Sequence, residues 1–263
     1  SPLVHTGRPT AAGYAAAGGS LYFGVPTVWG RVAADPAAAR ALAAARLLVS
    51  GSASLPAPVA AALTELAGQA PVERYGMTET LITLAARADQ PRRLGSVGRP
   101  IAGVSARVVD EDGAPAAADA IGLLEVRGAT LFDGYLHGSA PFTADGWFAT
   151  GDAAICRADG TYRIVGRAKD DLIKSGGYRV GAGEVEACLL GHPAVAEAAV
   201  LGMPDDDLGQ RIVAVVVASG ATEGELIDHV ARQLSVHKRP REVRFVDALP
   251  RNAMGKIQKA ALR

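Results

Sequence analysis

Apolar and polar positions change their period along this chain, and the changes divide it. Up to residue 94, short apolar runs of strand length at residues 21–25, 47–50 and 72–74 are separated by helix-like stretches. Residues 36–45 are alanine-rich and helix-prone, and residues 56–68 bring Val59, Ala62, Leu63 and Leu66 to one helical face. From residue 95 to 166 the signals are those of hairpins. Residues 107–109 run into Glu111-Asp112-Gly113, residues 123–126 into Gly128, and Asp159-Gly160 joins residues 155–157 to 162–165. Beyond Arg167 the texture changes again. A short amphipathic helix over residues 184–190 turns Val185, Cys188 and Leu189 inward, and residues 196–201 and 211–217 read as strands. Residues 223–234 form a second helix with Leu226, Ile227, Val230, Ala231 and Leu234 on one face; a strand at 242–246 and a terminal helix at 256–262 follow. The pattern predicts an α/β layer over residues 1–94 joined to a β-rich subdomain over 95–166. A small α+β domain over 167–263 completes the chain.

Composition narrows the functional classes. The 263 residues carry 27 Lys and Arg against 27 Asp and Glu, a balance that argues against nucleic acid or an anionic membrane as the main partner. The longest wholly apolar run, residues 212–218, falls far short of the ~18 a membrane span needs. No basic segment followed by an apolar stretch opens the chain, so secretion is not expected. Cys156 and Cys188 lie far apart, which points to a reducing compartment such as the cytoplasm. His5, His137, His192, His229 and His237 share no ligand spacing, so no histidine metal cage is expected. A first residue of Ser rather than Met suggests a piece of something longer. Glycine, at 31 residues, exceeds its usual ~7% share, so many backbone positions turn tightly or approach a ligand. The last 29 residues hold eight Lys and Arg against two Asp and Glu.

Phosphate loops of the GxxxxGK[ST] type, dinucleotide fingerprints, HExxH and GxSxG are all missing from the sequence. What remains is a series of small, polar, glycine-bearing segments at strand ends, where loops of an α/β sheet gather around ligands. Ser50-Gly51-Ser52 follows one strand, and Tyr75-Gly76-Met77-Thr78-Glu79 follows the next. Thr78 offers a hydroxyl to phosphate, Glu79 suits a Mg²⁺ travelling with phosphates, and Tyr75 could stack on a base. The plain alternative for Gly-Met-Thr-Glu is a helix-entry cap. Asp152, in Thr150-Gly151-Asp152, is either a bidentate acceptor for ribose hydroxyls or a turn Asp bonding its own backbone. Gly176 and Gly177 are either a hairpin turn or a backbone track for a ligand. Lys256 sits on a glycine-flexible stretch, suited to developing phosphate charge, or else is an ordinary surface lysine.

Taken together, Ser50-Gly51-Ser52, the Tyr75 to Glu79 segment, Gly146-Trp147-Phe148-Ala149-Thr150-Gly151-Asp152, Gly166-Arg167, Lys174-Ser175-Gly176-Gly177-Tyr178 and Pro250-Arg251-Asn252 with Gly255-Lys256 occur in the order found in adenylate-forming enzymes. The resemblance spans essentially the whole chain and implies their fold and two-step reaction. A carboxylate and ATP give acyl-AMP and pyrophosphate, and the thiol of CoA then displaces AMP to form a thioester. It implies ATP, Mg²⁺ and CoA, with Ser50, Gly51 and Tyr75 at the adenine, Thr78 at phosphate and Glu79 at Mg²⁺. Asp152 and Arg167 would hold the ribose, and Lys256 would bridge substrate carboxylate and α-phosphate. Lys169 would lie at the hinge about which the C-terminal domain turns, and Gly176 and Gly177 would line the pantetheine path. Lys238, Arg239 and Arg241 are weaker candidates for CoA phosphates.

The chain departs from the family pattern in two places. The Thr/Ser/Gly-rich phosphate loop of the family's N-terminal half is missing, so the chain resembles a C-terminal half and is expected to be inactive alone. Residues 135–143 also look shorter than their family counterpart. The wording around Ser52 and Arg74, with residues 173–178 and Ala253-Met254-Gly255-Lys256, is most similar to malonyl-CoA synthetases, whose Ser and Arg are associated with the distal carboxylate; Ser52, Arg74 and Met77 would then line the acyl group. Malonate or methylmalonate is thus the expected acid. The alternatives are a medium- or long-chain fatty acyl-CoA synthetase, or a fragment that binds nucleotide without turnover. For Arg74 itself, the alternative is a surface ion pair with Glu73.

Overall fold

The computed structural model describes residues 3–5, 7, 9–139, 141–252 and 257–263, and three sheets carry the chain. In the first, β1 (Leu21–Gly24), β2 (Leu47–Ser50) and β3 (Val72–Met77) are parallel neighbours, and β4 (Leu81–Ala85) and β5 (Arg99–Pro100) continue it antiparallel. Helices α1 (Ala11–Ala16), α2 (Pro26–Ala33), α3 (Pro36–Ala41) and α4 (Ala57–Ala67) pack around a core that includes Tyr22, Trp29, Leu42, Leu48 and Leu63. Asp35 caps α3 by accepting from the Ala37 and Ala38 amides, and Gly68 ends α4 in the left-handed region at φ 73°.

Two of these helices are absent from the hydrophobic pattern. α2 contains Val28, Trp29 and Gly30, poor helix formers, but Pro26 starts it and burial holds it. The Trp29 ring lies against Gly24, where a Cβ would come within 2.9 Å of it, and its Nε1 donates to the Val49 carbonyl at 3.2 Å. The helix expected over 36–45 stops at Ala41, and the strand expected over 72–74 runs on to Met77.

The second sheet is an antiparallel meander of β6 (Val104–Val109), β7 (Ile121–Gly128), β8 (Phe148–Cys156) and β9 (Tyr162–Arg167), as the hairpin signals predict. Its core joins Val108, Leu124, Val126, Phe148 and Tyr162 to Leu84 of the first sheet. The third sheet begins with β10 (Leu172–Ser175) and β11 (Tyr178–Gly181), followed by α5 (Ala182–Leu190). β12 (Val195–Asp205) and β13 (Gly209–Ala218) form its long hairpin, and after α6 (Glu223–Gln233), β14 (Glu242–Phe245) pairs parallel to β13. The apolar run at 212–218 now has its reason: Ile212, Ala214 and Val216 face α5 and α6, while Val215 packs on Leu201 and Leu249 across the sheet. Thr222 and Glu225 close a capping box at the start of α6. The terminal helix expected over 256–262 is instead a 3₁₀ turn over Lys259–Leu262 among the described residues. No helix among them is long and apolar enough to cross a membrane.

Candidate active site

Parallel pairing of β1, β2 and β3 sends the segments after β2 and β3 to the same edge of the first sheet. Ser50 ends β2 fully buried, its hydroxyl without a hydrogen-bond partner. Gly51 follows, and the Arg74 guanidinium lies directly on it: a Cβ there would stand 2.9 Å from Arg74 Cζ. Ser52 is exposed in the left-handed region at φ 73°, uncommon for a residue with a side chain. Glu73 and Arg74, as strand neighbours, point to opposite faces. Glu73 is buried and accepts from the Leu55 and Gly95 amides at 3.0 and 3.1 Å; burial raises its pKa, partly offset by those two bonds. The surface pair of Glu73 with Arg74 therefore does not form. Among the described residues Arg74 has no ion pair, and its buried Nε has no partner.

One residue further, Tyr75 turns its hydroxyl to Asp152 Oδ2 on β8 at 2.5 Å, and Met77 Sδ lies 3.9 Å from the same hydroxyl. Burial pushes the Tyr75 phenol far above its ordinary pKa, and the Asp152 charge adds to this, so Tyr75 stays a donor. Arg167, ending β9, brings Nε to 3.2 Å from Asp152 Oδ1 and donates from Nη1 to the Thr150 carbonyl at 3.1 Å. The Thr150 hydroxyl accepts from the Asp152 amide at 3.1 Å and donates to the Leu124 carbonyl. Asp152 is thus held from both sides by a phenol and a guanidinium rather than by its own turn.

Thr78 and Glu79 occupy the turn between β3 and β4, so the helix-cap reading of this segment does not hold. Gly76 makes the turn possible. A Cβ there would lie 1.8 Å from the Leu81 carbonyl oxygen, so only glycine allows β4 this close. Gly76→Ala is expected to cost about 1–3 kcal/mol or more of stability by forcing this backbone apart, read from the denaturant midpoint. Thr78 is exposed, and Glu79 accepts from the Tyr135 hydroxyl at 3.0 Å. Tyr135 and the Thr150 hydroxyl are contributors that the sequence did not single out; Tyr135 stands 56 positions from Glu79 with no local signal to join them.

The remaining predicted residues lie elsewhere. Lys169 is exposed just after β9. Gly176 and Gly177 form the two-residue turn between β10 and β11, with φ of 56° and 79°, as a type I′ hairpin requires. They do not join the Tyr75–Asp152 cluster; Gly177 lines a separate cleft of about 690 Å³ between the second sheet and the third. Lys256 lies outside the described residues.

This order of elements has counterparts in known proteins. Residues 11–136 match the AMP-binding enzyme family, and residues 184–256 match the AMP-binding enzyme C-terminal domain. The chain belongs to the adenylate-forming acyl-CoA synthetase superfamily and has its fold. Within it, the chain is similar to malonate–CoA ligases. The human mitochondrial malonate–CoA ligase is 40% identical over 245 residues, 82% of this chain and 42% of that protein. The sulfoacetate–CoA ligase of Cupriavidus necator is 40% identical over 249 residues, 90% of this chain and 48% of that protein. The crystal structure of ATP-bound MatB from Rhodopseudomonas palustris matches with a TM-score of 0.84 at 38% identity, covering 93% of this chain and 50% of that one. A malonyl-CoA ligase ternary product complex with methylmalonyl-CoA and AMP is 48% identical, with a TM-score of 0.55, covering 92% and 55%. The chain spans about half the length of the relatives it matches.

Proposed function

We propose that this chain carries the C-terminal half of an AMP-forming acid–CoA ligase whose acid is malonate or methylmalonate. In the first step a carboxylate oxygen attacks the α-phosphorus of ATP and pyrophosphate leaves; in the second the CoA thiol attacks the acyl carbon and AMP leaves. The observation that carries the acid is Arg74: a half-buried guanidinium without an ion pair among the described residues, seated on Gly51 beside Ser52. An unpaired buried charge facing a fatty tail is costly, whereas a distal carboxylate gives it a bidentate partner. A relative named for sulfoacetate, an acid with a second anionic group, supports the same reading.

In this reading Asp152, oriented by Tyr75 and Arg167, accepts from the ribose hydroxyls. Ser50, Gly51 and the Tyr75 ring border the adenine, and Thr78 and Lys256 serve the phosphates. Met77 and Ser52 flank the acyl group. Among the described residues no group of three or more His, Cys, Asp or Glu could hold a metal, but Glu79 offers one carboxylate. That fits a Mg²⁺ held mainly by ATP phosphates, whose charge it would neutralise. Residues 1–166 then belong to the large domain and 167–263 to the mobile one, with Lys169 at the hinge and Gly176 and Gly177 entering the thiol path after rotation. A cytoplasmic setting is proposed from the two free cysteines, although the human relative is mitochondrial.

Malonate-dependent ATP–pyrophosphate exchange by the complete enzyme, followed by malonyl-CoA formation, is the direct test. The 263-residue chain alone is expected to give no exchange, since it has no counterpart of the family's N-terminal phosphate loop. Exchange by the isolated chain overturns that expectation. A complete enzyme that binds ATP but turns over no acid leaves the non-catalytic nucleotide-binding reading in its place.

A further inference from the structure

The cleft of about 690 Å³ shares Gly177 and Lys238 with the expected CoA path, but it is also lined by Arg157 and Arg163, which the proposed reaction does not use. Its size lies within the range of small-ligand sites, roughly 300–1,000 Å³. Arg157 and Arg163 enter from the second sheet, Arg179 from β11 of the third, and Lys238 from the segment after α6. Against these four cations the lining offers two carboxylates, Asp119 and Glu184. Glu184 is shared, 2.9 Å from Lys238 Nζ and 3.7 Å from Arg163. Arg179 reaches outside the lining to Glu111 at 3.3 Å.

Arg157 is the residue left over. It forms no ion pair among the described residues, and its Nη1 is buried without a hydrogen-bond partner. Burial, with the nearby charges of Arg93 and Arg163, disfavours its charged form; Asp159 and Asp119 offset only part of this. Glu184 Oε1 is also buried and lacks a donor. A ligand completing both groups must bring an anion to the arginines and a hydroxyl to Glu184. A planar, forked guanidinium pairs bidentately with two oxygens of a phosphate.

We propose that this cleft binds a hydroxyl-bearing phosphate ester, and that the bound ester holds the second and third sheets in the arrangement seen here. The coupling follows from where the walls come from. No single sheet supplies the site, so any rearrangement that separates the two removes half of its contacts. The chain's overall shape agrees with the ATP-bound relative at a TM-score of 0.84 but with the product complex at only 0.55, despite higher identity to the latter. A ligand that binds one arrangement better than another shifts the population toward it.

Ribose 5-phosphate, titrated into the purified chain by calorimetry against KCl of matched ionic strength, tests the site. Binding is expected, weakened roughly ten- to a hundredfold by Arg157→Gln. Lys238→Gln, on the opposite wall, is expected to weaken it as well. Arg157→Gln removes a partly buried charge that has no ion pair among the described residues, so its ligand-free unfolding midpoint should be equal to or above the parent's, which separates lost binding from lost folding. Asp152→Asn should leave this binding intact, which distinguishes the cleft from the ribose position proposed above. Hydrogen exchange should slow on both walls, in residues 155–163 and 235–238. No binding beyond the salt control overturns the proposal, and so does undiminished binding in Arg157→Gln. Inorganic phosphate binding as tightly as the ester, or protection confined to one wall, also overturns it.

Discussion

Arg74→Ala in the complete enzyme is expected to lower kcat/KM for malonate by roughly 2–5 kcal/mol of transition-state stabilisation. The size follows from where the guanidinium sits. Its Nε is out of contact with water and its Cζ is pressed against Gly51, so the cationic plane has little solvent on that side. The nearest sequence carboxylate, Glu73, is committed to two backbone amides on the other face of the strand. A substrate carboxylate arriving here supplies a partner that the described residues do not. Removing the arginine leaves that carboxylate desolvated and unpaired, which costs more than the pair is worth in net terms. A monocarboxylate of similar length, butyrate, loses no such contact, and its kcat/KM should fall far less or rise. Steady-state kinetics with both acids decide the matter. If the parent enzyme prefers malonate no more than butyrate, or both fall equally in the variant, the fatty-acid reading takes its place.

How much of this was legible beforehand depended on whether the controlling interactions were local. The hairpins of the second sheet were readable because Glu111-Asp112-Gly113 and Asp159-Gly160 are turn chemistry that works over four residues. The same holds for α6, whose capping box is written within Thr222 to Glu225. By contrast, α2 is held by Trp29 packing on Gly24 and bonding to Val49, twenty residues away, which no local propensity encodes. At the site, the motif residues Tyr75, Asp152 and Arg167 do meet, yet their roles toward one another came only from the fold. Residues 77 positions apart share one hydrogen bond. The alternative of a surface pair between Glu73 and Arg74 fails because strand alternation, not sequence adjacency, decides what Glu73 faces. The cleft around Arg157 was invisible in the sequence, since its walls come from two sheets and its basic residues are scattered from 157 to 238.

Lys256→Ala in the complete enzyme is expected to slow acyl-AMP formation about 10²–10³-fold, the usual loss when one charge-stabilising contact to a reacting oxyanion is removed. Thioester formation from supplied malonyl-AMP and CoA should survive. The asymmetry follows from what the lysine is attached to. On its N-terminal side, Arg251 pairs with Glu197 of β12 at 2.7 Å and bridges to Ile257. On its C-terminal side, Gln258 donates to the Pro250 carbonyl at 2.8 Å, and Lys259 is clamped between Asp171 and Glu186 at 2.5 and 2.7 Å. Burial alone would lower the Lys259 pKa, but the two carboxylates outweigh it and raise it, so the clamp stays charged at neutral pH. The described residues flanking Lys256 are therefore fastened to the third sheet and the helix packed on it, and Lys256 is expected to move with that body. In the proposed reaction the same body turns between the half-reactions, carrying Lys256 away as Gly176 and Gly177 arrive. A group that has left the site cannot assist the second step. Single-turnover measurement of each half-reaction separates the outcomes: a loss confined to adenylation supports the rotation, and equal losses in both remove Lys256 from its proposed role.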